Sequence, residues 1–291
     1  MGLQTDKREN IDLRREKMVG AHPALWGKLI EGWNSPGGED RAWLMYSANY
    51  LLRTNGVRWA IDPIRLQSRI PQAAWVESAN DLKALDFVLL THSHTDHFDA
   101  GLVRALRHLP IRWVVPEHML AIVKEESGLS SRQMLVPKML EPLDLCGLRI
   151  TAFEGLHWEP APEYPLGRRG VPESGYLVET GGKRWLFPGD MRRYEVGSLP
   201  NFGGVDVIFA HLWLGRGAAL HPHPKMMEAF CNFCLGMSPR RILLTHLQEW
   251  GRQAGDFWDM DHAAQAVSVF KKLSPALIVE AASMGDEVLL G

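Results

Sequence analysis

His92-Ser93-His94-Thr95-Asp96-His97 is the stretch whose reading decides the fold. It follows Leu85-Asp86-Phe87-Val88-Leu89-Leu90-Thr91, an apolar run with the length of a buried strand. Four side chains able to ligate a metal therefore fall within six residues, directly after a strand end where turns can converge them on one point. Neutral imidazole and carboxylate are ligand types that suit zinc, iron or manganese. In a chain with 12 histidines the alternative is a solvated turn. Counterparts of the same chemistry further along the chain weigh against it.

Those counterparts also sit where apolar runs stop. The strand-like run 146–153 leads to His157, and 184–187 ends at Pro188-Gly189-Asp190. The run 205–209 ends at His211, and 241–244 ends at His246. Strand ends gathered on one edge of a sheet can build one site from residues far apart in sequence. Upstream, Asn55-Gly56 between two apolar runs predicts a hairpin whose returning strand, 57–61, stops at Asp62-Pro63. Gly181-Gly182 predicts a second hairpin joining 176–178 to 184–187. Apolar spacing predicts helices over 101–109, 117–126, 225–235 and 262–273, with a closing strand over 276–279. Hairpins, then strands alternating with helices, then hairpins again imply an α/β fold with two mixed sheets faced by helices.

Length, charge and cysteine content narrow the function classes. The 291 residues are 46% hydrophobic and 23% charged, ordinary for a globular chain with a sizeable core. Lys plus Arg is 32 and Asp plus Glu is 34, a net charge of −2, so no bulk attraction to nucleic acid or anionic membrane is expected. No segment approaches the ~18 consecutive apolar residues of a membrane span. The first 17 residues carry nine charges and no apolar signal core, and the three cysteines cannot all pair; a cytoplasmic location is expected. Residues 3–19, charged with sparse apolar anchors, read as a helix on the surface or an arm to a neighbouring subunit of a homo-oligomer. Pro36-Gly37-Gly38 ends that lead-in, which divides the chain into a helical extension (1–40) and a single main domain (41–291).

The chain resembles the metallo-β-lactamase-fold hydrolases, residue by residue. Their His-x-His-x-Asp-His signature is matched by His92, His94, Asp96 and His97, their later histidine by His157, their Gly-Asp strand end by Gly189-Asp190, and their last histidine by His246. The resemblance implies a four-layer αββα sandwich and two divalent metal ions, zinc first with manganese or iron as alternatives. One ion would be held by His92, His94 and His157, the other by Asp96, His97 and His246, with Asp190 bridging both. Asp96 is also expected to accept a proton. Within the family, residues 47–64 look like the branch of L-ascorbate-6-phosphate lactonase and the N-acylphosphatidylethanolamine-hydrolysing phospholipase D. That branch often shows Gly-His where this chain has Ser47-Ala48-Asn49. The resemblance covers roughly residues 42–283. It implies a hydrolase in which a metal-bridging hydroxide attacks a small lactone or phosphoester. The alternatives are a metal-binding regulator or assembly protein without activity, and a nucleic-acid phosphodiesterase.

Substrate contacts are expected from His211, His221 and His223, with His223 a candidate for proton transfer; for each the plain alternative is a solvated loop. Arg192 follows Asp190 where the anionic group of a small substrate could sit, with a surface salt bridge as the other reading. Residues 159–173, rich in Pro and Gly, read as a lid whose Arg168-Arg169 pair would cover an anionic substrate. Cys231-x-x-Cys234 lies within a helix and reads as core packing.

Overall fold

The computed structural model describes residues 2–159 and 169–291, with the side chains of residues 2–9 left aside. A long helix, α1 (Gly2–Asn34), precedes β1 (Arg41–Leu44), β2 (Tyr50–Thr54) and β3 (Val57–Ile61). The short turns α2 (Leu66–Arg69) and α3 (Ser78–Asp81) lead to β4 (Phe87–Leu89), α4 (Ala100–Leu106), β5 (Arg112–Val114), α5 (Leu120–Ser127) and β6 (Met134–Leu135). The second half comprises β7 (Pro142–Leu145), β8 (Leu148–Glu154), β9 (Ser174–Thr180), β10 (Lys183–Phe187) and β11 (Val205–His211). It finishes with α6 (Pro224–Gly236), β12 (Pro239–Thr245), α7 (Met260–Leu273), β13 (Ile278–Ala281) and β14 (Glu287–Leu289).

The strands form two seven-stranded sheets, ordered β14-β1-β2-β3-β4-β5-β6 and β13-β12-β11-β10-β9-β8-β7. Hairpin neighbours pair antiparallel, as do β1 with β14 and β8 with β9, while the remaining pairs are parallel, with helices between the strands except between β10 and β11. Period-two alternation sorts the side chains into layers. Tyr50, Leu52, Trp59, Ile61 and Phe87 of the first sheet meet Tyr176, Val178, Trp185, Phe187 and Phe209 of the second in the central core. The intervening residues Leu51, Ala60 and Val88 face outward onto α1, α4 and α5. On the far side Leu186, Ile208 and Leu244 pack under Phe230 of α6 and Phe270 of α7. The result is the four-layer αββα sandwich. Among the described residues no helix is long and apolar enough to cross a membrane.

Several elements differ from the sequence reading. The lead-in helix runs through Pro23 to Asn34, because Trp26, Leu29 and Trp33 bury against the outer face of the first sheet of the same chain. Its earlier half lies over the rim of the sandwich, where Ile11 and Met18 pack with Tyr46, Ile64 and Trp250. Strands β6, β7 and β14 are absent from the sequence reading; β14 pairs antiparallel with β1 and forms the edge of the first sheet.

Candidate metal centre

Each ligand candidate follows a strand at one edge of the sandwich. His92, His94, Asp96 and His97 lie in the loop after β4, His157 after β8, Asp190 after β10 and His246 after β12. Two groups result whose ligand atoms lie within 4.8 Å of one another: His92, His94 and His157, and Asp96, His97, Asp190 and His246. The second group is wholly buried. Distances across it are short: His97 Nε2 stands 3.4 Å from Asp190 Oδ1, and His246 Nε2 stands 3.7 Å from both Asp190 Oδ2 and Asp96 Oδ2. A third grouping, Asp62 with His92 and His97, has donor atoms spent on internal hydrogen bonds and reads as support.

The support explains why the rings face inward. Asp62, left-handed at φ +47 where β3 stops, accepts from Thr91 N at 2.8 Å, from Thr91 Oγ1, and from His97 Nδ1 at 2.8 Å. Glu173 Oε1 lies 3.1 Å from His92 Nδ1 and accepts from Asp190 N at 2.8 Å. Gly189, at φ +81, makes room for this carboxylate, since a Cβ there would stand 2.5 Å from Glu173 Oε1. Asn49 Nδ2 donates to Asp62 O and Asp96 O, at 2.7 and 2.9 Å, tying the first hairpin to the ligand loop. The stretch that departs from the Gly-His pattern thus braces the site. His246 N donates to Ser47 O from the same segment.

Histidine ligands usually have one ring nitrogen fixed by the protein and offer the other to the metal. Here Nδ1 of His92 and His97 is held, while Nε2 of His92, His97 and His246 is buried without a hydrogen-bond partner. A buried polar atom left unpaired carries a desolvation cost of about 1–3 kcal/mol. Two of them, on His97 and His246, stand within 3.4–3.7 Å of Asp190 or Asp96, and the third, on His92, belongs to the group with His94 and His157, an arrangement that fits cations. Protonation states agree for most of the set. Burial, reinforced by the His97 charge, pushes His92 down to about 3; burial and His92 push His94 down to about 4; burial pushes His157 lower still. All three imidazoles are neutral, as ligands must be. Burial by itself would raise Asp96 and Asp190, but the neighbouring histidines outweigh it and hold both well below the usual carboxylate range. Burial would lower His97, yet Asp190 and Asp62 raise it well above its ordinary value. Burial and the Asp190 charge push Glu173 up to about 8.

The expected substrate residues are placed less uniformly. His211 is buried with both nitrogens engaged, Nδ1 2.7 Å from Asp190 Oδ1 and Nε2 2.9 Å from Tyr50 OH. Both of its ring nitrogens are thus engaged by protein partners, one of them the ligand candidate Asp190. His221 and His223 are exposed, and His223 caps α6, its Nδ1 accepting from Lys225 N at 3.3 Å. Arg192 is buried, which removes the surface salt bridge. It donates to Glu159 Oε1 at 2.6 Å, approaches His157 Nε2 at 3.2 Å and lies over the Trp213 ring. Arg168 and most of the expected lid lie outside the described residues; at its roots Glu159 N bonds to Arg169 O. Cys231 and Cys234 are buried in α6. Sequence reasoning missed Asp62, Glu173 and Arg252, whose Nη2 donates to Asp96 Oδ2 at 2.7 Å. The Asp62-Pro63 strand stop was the one available signal; the other two depend on contacts between distant segments.

Solved structures share this arrangement of sheets and helices. CmlA, a diiron β-hydroxylase from Streptomyces venezuelae, superposes with a TM-score of 0.62 at 17% identity, over 88% of this chain and 55% of CmlA. The chain thus spans about half the length of that enzyme. Igni18, a metallo hydrolase from the archaeon Ignicoccus hospitalis, gives 0.58 at 19% identity, over 86% of this chain and 97% of its own. The metallo-β-lactamase fold protein YhfI from Bacillus subtilis gives 0.59 at 14%, over 87% and 100%. At these identities the likeness is one of fold. No curated protein matches the chain. The model of the β-lactamase superfamily domain matches residues 60–247, a span that contains all seven ligand candidates. The chain therefore belongs to the metallo-β-lactamase superfamily, as a metal-dependent-hydrolase-like protein.

Proposed function

We propose that the chain is a hydrolase that uses two divalent metal ions to cleave a small ester, either a lactone or a phosphoester. The observation that carries this reading is the pair of buried, unpartnered nitrogens, His97 Nε2 and His246 Nε2, that face Asp96 and Asp190 beside the His92, His94 and His157 group. His92, His94 and His157 would hold one ion and Asp96, His97 and His246 the other, with Asp190 between. Bound there, such ions acidify water and polarise the carbonyl or phosphoryl oxygen under attack. Zinc is favoured, and the same ligands accept manganese or iron. The chain's own residues fix the geometry. Glu173 and Asp62 orient two rings, and His211 anchors Asp190 Oδ1. Asp96, between His246 and Arg252, stays ionised and is the group assigned to take a proton.

Elemental analysis of protein purified without chelator should find close to two ions per chain. A panel of acyl lactones, bis(p-nitrophenyl) phosphate, thioesters and a cephalosporin should then show turnover on an ester that Asp190→Ala abolishes. Metal-free protein with full activity refutes the reading. Full metal content with no turnover of any class moves the assignment to a binding or regulatory protein.

A further inference from the structure

Beside the ligand loop lies a cavity of about 700 Å³, walled by the first half of α1, the end of α2 and the 250–255 segment. Three arginines from these three elements line it: Arg15, Arg69 and Arg252. Arg69 grips Glu249 through Nε and Nη2, both at 3.1 Å, and reaches Thr95 Oγ1 with Nη1 at 2.5 Å. Glu249 is a buried post that also accepts from Tyr46 OH at 2.7 Å. Arg252 Nη2 donates to Asp96 Oδ2 at 2.7 Å, and its Nε stands 3.4 Å from Glu249 Oε2. Arg15 donates to Trp250 O at 2.6 Å, to Arg252 O at 3.2 Å and to Asp12 at 2.5 Å. A guanidinium carries five N–H donors, so these bonds fix the three forks and leave donors over on each. Among the described residues the counter-charges are Glu249, Asp12 and the ligand candidate Asp96. Ile11, Leu220, Trp250 and Ala254 give the rest of the wall an apolar character.

We propose that this cavity is the substrate pocket and that it takes the oxyanion end, carboxylate or phosphate, of an organic substrate. The proposal rests on the hydrolase reading for what is cleaved, though not for what is bound. Arg69 and Arg252 stand between its inner end and the ligand loop, bonding Thr95 and Asp96 directly. An oxyanion held there would keep the rest of the molecule against the metal edge, with its carbon chain on Ile11 and Trp250. Forked N–H donors match the paired oxygens of carboxylate and phosphate, and a lysine or hydroxyl wall would not do so as well. The lead-in helix becomes part of the site: Arg15 both faces the cavity and holds the Trp250-to-Arg252 turn through two carbonyls. Arg15 is then a specificity-determining residue.

The test is calorimetric titration of the purified full chain, metal content measured on the same sample, with butyrate, glutarate and 4-phosphonobutyrate. The last two add a second carboxylate or a phosphonate to a similar short chain. Both should bind roughly tenfold or more tightly than butyrate, and Arg15→Gln should remove most of that preference while butyrate stays within about twofold. A general pull of dianions toward the metal edge would survive Arg15→Gln, so an intact preference in that variant overturns the proposal. Ala254→Trp fills the cavity from the opposite wall and decides the matter should Arg15→Gln fold poorly. It should weaken both dianions with circular dichroism and metal content unchanged, and undiminished affinity overturns the proposal. Loss of preference for glutarate alone assigns a carboxylate, and for 4-phosphonobutyrate alone a phosphate. Turnover separates the two readings: the binding pattern without any ester hydrolysis keeps the pocket and removes the hydrolase. Hydrolysis of neutral esters without a dianion preference does the reverse.

Discussion

Exchanging Asp62 for asparagine tests how the site is held together with almost no change of shape. Asparagine tolerates the left-handed backbone at this position, φ +47. Its amide oxygen can still accept from Thr91 N, now bonded to Asp62 Oδ1 at 2.8 Å. The amide nitrogen then stands where Oδ2 meets His97 Nδ1 at 2.8 Å. Facing a donor, Nδ1 of a neutral His97 has to accept, which moves the ring proton to Nε2 and blocks the nitrogen that faces Asp190. Loss of such a supporting partner costs about 10–100-fold in metal affinity, or about 1.4–2.8 kcal/mol. The effect should fall on the group of Asp96, His97 and His246 and spare that of His92, His94 and His157. Zinc titration against a competing chelator, on wild-type and Asp62→Asn protein, resolves the two sites. Unchanged affinity at both, or equal loss at both, would refute the assignment of Asp62 as the partner that sets the His97 tautomer.

Asp259 caps α7, bonds His262 Nδ1 at 2.7 Å and meets Arg14 at 3.1 Å. Burial by itself would raise its carboxyl, but His262 and Arg14 bring it down to about 2. A depressed folded-state value means stability that is present above the ordinary value near 3.8 and lost as pH falls through about 2. The contribution at pH 7 is about 2 kcal/mol, so the urea-midpoint gap between wild type and Asp259→Ala should shrink by roughly half at pH 3. A gap that widens in acid would reverse the sign of the reasoning. Gly189→Ala drives a Cβ to within 2.5 Å of Glu173 Oε1 at a left-handed φ of +81, and should lower stability by about 1–3 kcal/mol; an unchanged thermal midpoint contradicts it. Burial pushes the Cys231 thiol up to about 12 and holds Cys234 well above its ordinary value. Iodoacetamide should therefore label the exposed Cys146 alone in folded protein, as mass spectrometry of digests would show.

The ligand cluster is legible in the sequence because each member sits at the stop of an apolar run. Strand ends are among the few places where one-dimensional pattern fixes three-dimensional position. The layers are legible for a related reason: Tyr50, Leu52 and Trp59 alternate with Leu51 and Ala60, and both sets are apolar, as strands buried on two faces require. What escapes is whatever depends on distant segments meeting. Arg252 bonds Asp96 across 156 positions, and Glu173 reaches His92 from beyond the 159–173 loop root. The continuation of the lead-in helix beyond residue 19 escapes because Gly20 and Pro23 are local stop signals, overridden by the burial of Trp26, Leu29 and Trp33. His211 looks like a loop histidine until Tyr50 and Asp190 are seen on either side of it.

The pairing of β14 with β1 locks the two sheets into one folding unit. Arg41 lies opposite Leu289, so the first sheet receives its edge strand only after every strand of the second has been laid down. The first sheet therefore cannot be completed as an independent half. The ligand loop after β4 belongs to the first sheet, while His157, Asp190 and His246 belong to the second. A separation of the halves would pull the candidate centre apart along its own midline. A cation held by either ligand group would therefore link its own binding to cohesion of the sandwich, because each group draws residues from both sheets.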